Sequence, residues 1–91
     1  MDSIHLEVHG RVQGVGFRWY VVEMARQLDL AGWVKNRPDG KVELAAAGTR
    51  EALDKFTAAV RAGPRGARIE DVRFLAAVPA SECESPFTIV R

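Results

Sequence analysis

One segment of the chain, Gly10–Arg18, contains three glycines, ends in an arginine and reads GRVQGVGFR. It joins an alternating segment typical of a strand to an amphipathic segment typical of a helix. The first backbone N–H groups of a helix have no partner within the helix, and a Ser, Thr, Asp or Asn side chain usually accepts from one of them. No such residue occurs in this segment. Its glycines also allow a ligand to approach the backbone closely.

Arg18 places a cation in the first turn of the predicted helix, where the helix dipole disfavours positive charge. An oxyanion would account for both features, because free backbone N–H groups and a guanidinium can bind it together. These residues therefore predict a site for a small anion such as phosphate or sulfate. The alternative is a glycine-rich turn that only redirects the chain, with its N–H groups in water and Arg18 solvated on the surface.

Length and charge limit the kind of protein. With 91 residues we expect one small domain over residues 1–91. The net charge is only +1, with basic and acidic residues interspersed, which argues against binding of a nucleic-acid backbone. We find neither a signal peptide nor an apolar stretch long enough to cross a membrane, and we expect a cytoplasmic protein.

Other reactive side chains have structural interpretations. Cys83 has a glutamate on either side, which should raise the pKa of its thiol, so we interpret it as an incidental loop cysteine suited to a reducing compartment. His5 and His9 share a strand face but lie about 13 Å apart at the rise of a strand, too far to share a metal ion. We expect both, and Glu7 between them, to be solvated surface residues.

Hydrophobic periodicity predicts two helices and five strands. The apolar stripe of the first helix runs from Phe17 to Leu28, and the second helix has Thr49 as its N-cap and ends at Gly63-Pro64. The strands are expected over residues 4–9, 33–36, 41–46, 69–78 and 87–91. The fourth strand loses its alternation near Asp71, where we expect a bulge.

The order is therefore β-α-β-β-α-β with a short additional strand at the end. It predicts an α+β, ferredoxin-like sandwich in which two helices cover one face of an antiparallel sheet. RNA-recognition domains share this order but stack bases on exposed aromatic residues of the sheet. The open face would here carry instead His5, Glu7, His9, Lys41 and Glu43.

Asn36 ends the second strand, just before the turn Arg37–Gly40. In this topology the first and second strands can place Asn36 and the glycine loop at the same end of the sheet. The amide would there hold a water molecule beside the bound anion. The alternative is an asparagine that merely flanks a turn.

Two motifs together resemble the acylphosphatases: GRVQGVGFR at Gly10–Arg18 and GWVKN at Gly32–Asn36. The resemblance extends to the last strand and covers nearly the whole chain, through Pro38-Asp39-Gly40, Gly48 and Phe87-Thr88-Ile89. It implies the ferredoxin-like fold and metal-free hydrolysis of acyl phosphates, which are mixed anhydrides of a carboxylic acid and phosphate. It also implies that Arg18 binds the phosphate and that Asn36 positions the attacking water.

The chain departs from this family at two positions that lie outside both motifs. Its last residue is Arg91, where an aromatic residue is frequent, and Ala47 stands where an acidic residue is common. These departures bear on stability and on substrate preference rather than on the reaction.

The resulting hypothesis is a monomeric acylphosphatase without metal or cofactor. The carboxylate of the substrate leaves without a proton, so positioning and charge stabilisation suffice for the reaction. The phosphoryl oxygens would be held by the backbone N–H groups of Gln13, Gly14, Val15, Gly16, Phe17 and Arg18. The guanidinium of Arg18 would contact two of these oxygens.

Two other functions remain open at this point. The domain could sense or carry phosphate-like anions without turnover. It could also be an allosteric ligand-binding domain that dimerises through its sheet, although that function leaves the combination of Arg18 and Asn36 unexplained.

Overall fold

The computed structural model describes the whole chain, residues 1–91. Its elements are β1 (Asp2–Arg11), α1 (Phe17–Gln27), β2 (Ala31–Asn36), β3 (Val42–Gly48), α2 (Arg50–Ala62), β4 (Arg68–Leu75) and β5 (Thr88–Ile89). The predicted order of helices and strands is therefore confirmed. Two strands are shorter than expected, because β4 ends at Leu75 rather than Val78 and β5 keeps only two residues. Neither helix is long and apolar enough to cross a membrane.

The five strands form one sheet in the order β4-β1-β3-β2-β5. Both β1 and β2 run antiparallel to β3, which lies between them, so β1 and β2 point in the same direction. The segments that follow β1 and β2 therefore leave the sheet at the same edge. The pairing confirms the ferredoxin-like α+β fold, and the short β5 makes the sheet mixed because it runs parallel to β2.

The expected irregularity in β4 lies at Glu70. His9 of β1 pairs with Asp71, whereas the next residue, Gly10, pairs with Ile69, so that Glu70 has no partner across the ladder. One additional residue in one strand is the definition of a bulge, and it restores the inward orientation of the apolar residues on either side.

The hydrophobic core lies between the helices and one face of the sheet. Alternate residues of β1 point into it, and the same holds for β3, because successive side chains of a strand face opposite sides. Three fully buried phenylalanines fill much of the space: Phe17 of α1, Phe56 of α2 and Phe87 before β5. Burial of Phe17 fixes the beginning of α1 against the sheet, which positions the preceding glycine loop.

The opposite face of the sheet is not open along its whole length. The segment that follows β4 crosses it, where Ser3 Oγ donates to the Val78 carbonyl and the Gly32 N–H donates to the Glu84 carbonyl. Cys83 is buried there against Ala45 and Ala47. Cys83 lies in a loop, as expected, but it is not exposed there, because the small alanine side chains of β3 leave space that the thiol fills. The expected rise in the pKa of its thiol is confirmed, with a different main cause. Burial, and secondly Glu82, raises the pKa of Cys83.

The histidines and glutamates of this face are paired rather than freely solvated. His5 bonds to Glu43 and His9 bonds to Glu7, each over 2.6 Å, and Glu7 also pairs with Arg37. The four side chains of the two histidine–glutamate pairs are only 13–17% exposed. The expectation of solvated surface residues is therefore wrong. Alternation along β1 places His9 on the same face as Glu7, and the pairing of β1 with β3 brings His5 near Glu43.

Candidate active site

The glycine loop lies between β1 and α1 and leaves the beginning of the helix without a cap. Gly14 and Gly16 have φ angles of 74° and 78°, in the left-handed region that favours glycine. Gly16 is the N-cap residue of α1, and no side chain accepts a hydrogen bond there. The second helix differs, since Thr49 Oγ1 accepts from the Ala52 N–H over 3.1 Å. The missing cap is therefore particular to α1.

The backbone N–H groups of this loop have no partners within the chain. The first N–H of α1 that donates to another backbone group is that of Tyr20, which bonds to the Gly16 carbonyl over 3.1 Å. None of the N–H groups from Gln13 to Trp19 forms a backbone hydrogen bond. Such a run of donors at a helix N-terminus is a favourable site for an oxyanion.

Arg18 lies in the first turn of α1 and is partly buried. Its guanidinium takes part in none of the ion pairs of the chain, whereas Arg37 pairs with both Glu7 and Asp39. Arg18 instead lines a cavity of about 370 Å³ between α1 and β5. An arginine without a carboxylate partner retains all its donors for a ligand.

Asn36 is the last residue of β2 and has a buried oxygen without a partner. The alternation of β2 places it on the same face as Val34, which is fully buried under the helices. Its Oδ1 is the one buried side-chain nitrogen or oxygen atom of the chain that lacks a hydrogen bond. Leaving a buried acceptor unpaired costs about 1–3 kcal/mol. A native protein that retains such an atom requires an explanation, and a function in the site is one.

The loop and Asn36 are brought to the same sheet edge with only β3 between them. Val42, the first residue of β3, pairs with Val8 on one side and with Asn36 on the other. The site residues predicted from the sequence thus lie at one end of the molecule: Gln13 to Arg18 in the loop, and Asn36 at the end of β2.

The side chain of Gln13 connects the glycine loop to the turn after Asn36. The sequence analysis does not predict this contact. Its Nε2 donates to the carbonyls of Arg37 and Lys41, over 2.8 and 3.0 Å. The Lys41 carbonyl also accepts from the Arg37 N–H, so that both acceptors belong to the turn directly after Asn36. The only signal in the sequence is an amide side chain in a loop that the topology places beside this turn.

Comparisons with known proteins agree with this geometry. The model of the acylphosphatase family matches residues 4–89. An acylphosphatase of Koribacter versatilis is 49% identical over 78 residues, which are 86% of this chain and 71% of that protein. The crystal structure of the acylphosphatase from Bacillus subtilis has a TM-score of 0.90 at 42% identity and covers 98% of both chains.

A second solved structure leads to the same assignment. The acylphosphatase from Coxiella burnetii has a TM-score of 0.88 at 39% identity, covering 97% of this chain and 90% of that one. These matches span both the glycine loop and the strand that ends at Asn36. The chain therefore belongs to the acylphosphatase family of hydrolases.

Proposed function

We propose that this chain hydrolyses acyl phosphates to a carboxylate and inorganic phosphate, with Arg18 and Asn36 as its catalytic residues. The observation that supports this most directly is the unpartnered Oδ1 of Asn36 at the sheet edge where the loop leaves its N–H groups free. A site that only bound phosphate would need hydrogen-bond donors and would have no use for an additional buried acceptor. The buried acceptor of Asn36 is suited to a molecule that donates, and water is such a molecule.

In the proposed complex the N–H groups of residues 13–18 donate to the phosphoryl oxygens. The Arg18 guanidinium contacts two of these oxygens at once, which a planar fork of donors allows. Together they stabilise the negative charge on the phosphoryl group as it passes through the transition state.

The reaction needs one water molecule and no covalent intermediate. Asn36 Oδ1 accepts a hydrogen bond from this water and holds its oxygen in line with the bond to be broken. The oxygen forms a bond to phosphorus as the bond from phosphorus to the acyl oxygen breaks, and both electrons of that bond leave with the carboxylate. The proton that the water loses passes to a phosphoryl oxygen, since neither motif supplies a carboxylate or an imidazole. A carboxylate is a weak base and leaves without protonation, so no general acid is required.

Benzoyl phosphate hydrolysis, measured with a chelator present, tests the proposal. We expect turnover by the native protein and a loss of roughly 10³-fold or more in kcat/KM for Arg18→Ala. Asn36→Ala should lower kcat by roughly 10²-fold while phosphate still inhibits at an unchanged concentration, because only the water loses its partner. Arg65→Ala serves as control, since Arg65 is exposed, forms no ion pair and lies beyond α2. Phosphate binding without turnover in the native protein would instead indicate a sensor or carrier of anions.

We also propose a cytoplasmic monomer. Three large apolar side chains are exposed, Met1 before β1, Trp19 of α1 and Phe74 of β4, so that each of these segments exposes only one of them. The only cysteine is a buried free thiol, which fits a reducing compartment. Light scattering over a range of protein concentrations measures the molar mass in solution. A dimer that forms as the concentration rises would contradict the proposed monomer.

A further inference from the structure

The amide oxygen of Asn36 has no contact of its own that would fix it. This buried Oδ1 lacks a hydrogen-bond partner within the chain. The pairing of β2 with β3 also ends at this residue, because Asn36 and Val42 form the last pair of the ladder. The orientation of the amide therefore depends on how the backbone is held directly after β2, beginning with Arg37.

Arg37 is bound through both its backbone and its guanidinium. Its N–H donates to the Lys41 carbonyl over 2.8 Å and its carbonyl accepts from the Gly40 N–H over 3.1 Å, two bonds that lie within the turn. One terminal nitrogen of the guanidinium pairs with Glu7 Oε2, and the other pairs with Asp39 Oδ2 over 3.2 Å. Asp39 belongs to the same turn, so the ion pair with Glu7 is the contact of this side chain that ties the turn to β1.

Glu7 gives this ion pair a fixed position in the sheet. It lies inside β1, which has a strand on either side, and it is in register with Glu43 of β3 and with Arg73 of β4. Its side chain is only 13% exposed, and its second oxygen bonds to His9 over 2.6 Å. Both oxygens of the carboxylate are therefore engaged, which restricts its orientation and that of the guanidinium of Arg37.

This ion pair and the proposed site lie on opposite faces of the sheet. The alternation of β2 places Asn36 on the helix-covered face with Val34, whereas the alternation of β1 places Glu7 on the other face with His9. The phosphate would bind at the beginning of α1, on the helix-covered face. Glu7 and Arg37 can therefore affect the reaction only through the backbone that joins Arg37 to Asn36.

We propose that Glu7 and Arg37 are positioning residues of the hydrolysis, and that their ion pair fixes the chain after β2 so that the amide oxygen of Asn36 faces the attacking water. The inference rests on the proposed function, in which this oxygen accepts a hydrogen bond from the water. A displacement of about 1 Å can lower a rate by roughly 10²-fold. Because the turn retains its internal bonds and those from Gln13, we expect a smaller effect when the ion pair is lost.

Kinetics of benzoyl phosphate hydrolysis test the inference. In Arg37→Gln we expect kcat to fall by roughly five- to tenfold, and in Glu7→Gln by roughly three- to fivefold, with KM and inhibition by phosphate unchanged. The double variant should be no slower than Arg37→Gln, because both changes remove one contact. Arg37→Lys should stay within about twofold of the native kcat, since a single nitrogen makes the contact with Glu7.

Glu43→Gln is the matched control for Glu7→Gln. Glu43 is in register with Glu7, is 17% exposed, bonds to His5 over 2.6 Å and pairs with Lys35 over 3.9 Å. Lys35 lies before Asn36, where the backbone of β2 is already paired with β3. We therefore expect a loss of stability comparable to that of Glu7→Gln, measured by urea denaturation, but a native kcat.

A double-mutant cycle distinguishes positioning from a general loosening of the fold. In an Asn36→Ala background, Arg37→Gln should lower kcat by less than about twofold, because the amide that it positions is absent. A native kcat in Arg37→Gln, its full effect in the Asn36→Ala background, or an equal loss of kcat in Glu43→Gln would each overturn the inference and leave the proposed function intact. A native protein inactive on benzoyl phosphate would overturn the proposed function and this inference with it.

Discussion

At the scale of single residues, the polar side chains of the candidate site differ from those around it because they lack hydrogen-bond or ion-pair partners within the chain. Arg37 has two carboxylates beside it, and Gln13 satisfies its amide N–H groups on two carbonyls. Arg18 has no such partner, and Asn36 Oδ1 is buried without one. Unmet hydrogen-bonding capacity in a stable fold is compensated by other interactions, and it is retained where a ligand makes use of it.

The geometry of the Arg18 side chain should matter as much as its charge. Arg18→Lys keeps a cation but replaces the planar fork by a single ammonium, which cannot contact two phosphoryl oxygens in parallel. We expect kcat/KM for benzoyl phosphate to fall by at least roughly 10²-fold, which is about 2.7 kcal/mol or more. The control is Arg65→Lys, expected at the native rate. Activity of Arg18→Lys within a few-fold of native would show that charge alone suffices.

At the scale of elements, three segments of the chain must meet for the site to exist. The glycine loop follows β1, Asn36 ends β2, and the turn into β3 connects them through Gln13. Phe17 and Tyr20 fix the other side of the loop, since Phe17 is buried in the core and Tyr20 bonds to α2.

Gln13 should act as a positioning residue through its side chain. In Gln13→Ala the loop and the turn lose two hydrogen bonds, and we expect kcat to fall by roughly tenfold because water and phosphate are no longer aligned. A purely structural role would give the same loss in any background. A positioning role predicts that Gln13→Ala has little further effect on kcat in Asn36→Ala, which a double-mutant cycle measures. The matched control is Gln27→Ala, at the exposed last residue of α1.

The two helices should be coupled through Tyr20. Its hydroxyl donates to the Ala59 carbonyl over 2.7 Å, and burial raises the pKa of this side chain. We expect Tyr20→Phe to lower the free energy of unfolding by about 1 kcal/mol, measured by urea denaturation. The loss stays small because the Ala59 carbonyl still accepts from the Gly63 N–H. Turnover should be unchanged, and a large loss of activity would place Tyr20 in the site itself.

At the scale of the whole molecule, the sheet separates two kinds of stabilisation. One face is covered by helices and an apolar core, and the other carries paired charges beside the segment that follows β4. The core does not titrate, whereas the charged face does. The pH dependence of stability should therefore come from the second face.

Glu7 should make the protein sensitive to acid. Its hydrogen bond with His9, and next its contacts with Arg37, hold the pKa of Glu7 below the ordinary value of 4.5. Because its pKa is lowered on folding, ionised Glu7 contributes fully to the stability of the fold when the pH is above its ordinary pKa. This contribution is lost as the pH falls through the lower pKa of the folded state. The same applies to Asp39, whose pKa is lowered chiefly by the Lys41 N–H.

Urea denaturation at a series of pH values measures this effect. We expect the midpoint to fall as the solution is acidified below about pH 4.5, and to fall less steeply in Glu7→Gln. Glu23→Gln is the control, because Glu23 is exposed and forms no ion pair, and it should follow the native curve. An unchanged slope in Glu7→Gln would assign the acid sensitivity to other groups.

Features that depend on a few neighbouring residues can be predicted from the amino-acid sequence. Strand alternation, the N-cap at Thr49, the bulge in β4 and the uncapped beginning of α1 can all be predicted from it, because each rests on local backbone chemistry. The fold class follows from the order of these elements. The candidate residues Arg18 and Asn36 were also found there, from a misplaced charge and a motif.

Contacts between groups that are distant along the chain cannot be predicted in this way, because they depend on the packing of the folded protein. Gln13 and the Arg37 carbonyl are 24 residues apart, and Arg26 and the Phe87 carbonyl are 61 residues apart. The burial of Cys83 and the parallel pairing of β5 likewise depend on how the chain packs. Periodicity indicates which way a side chain faces, but its partner is set by strand order, register and the volume of neighbouring side chains.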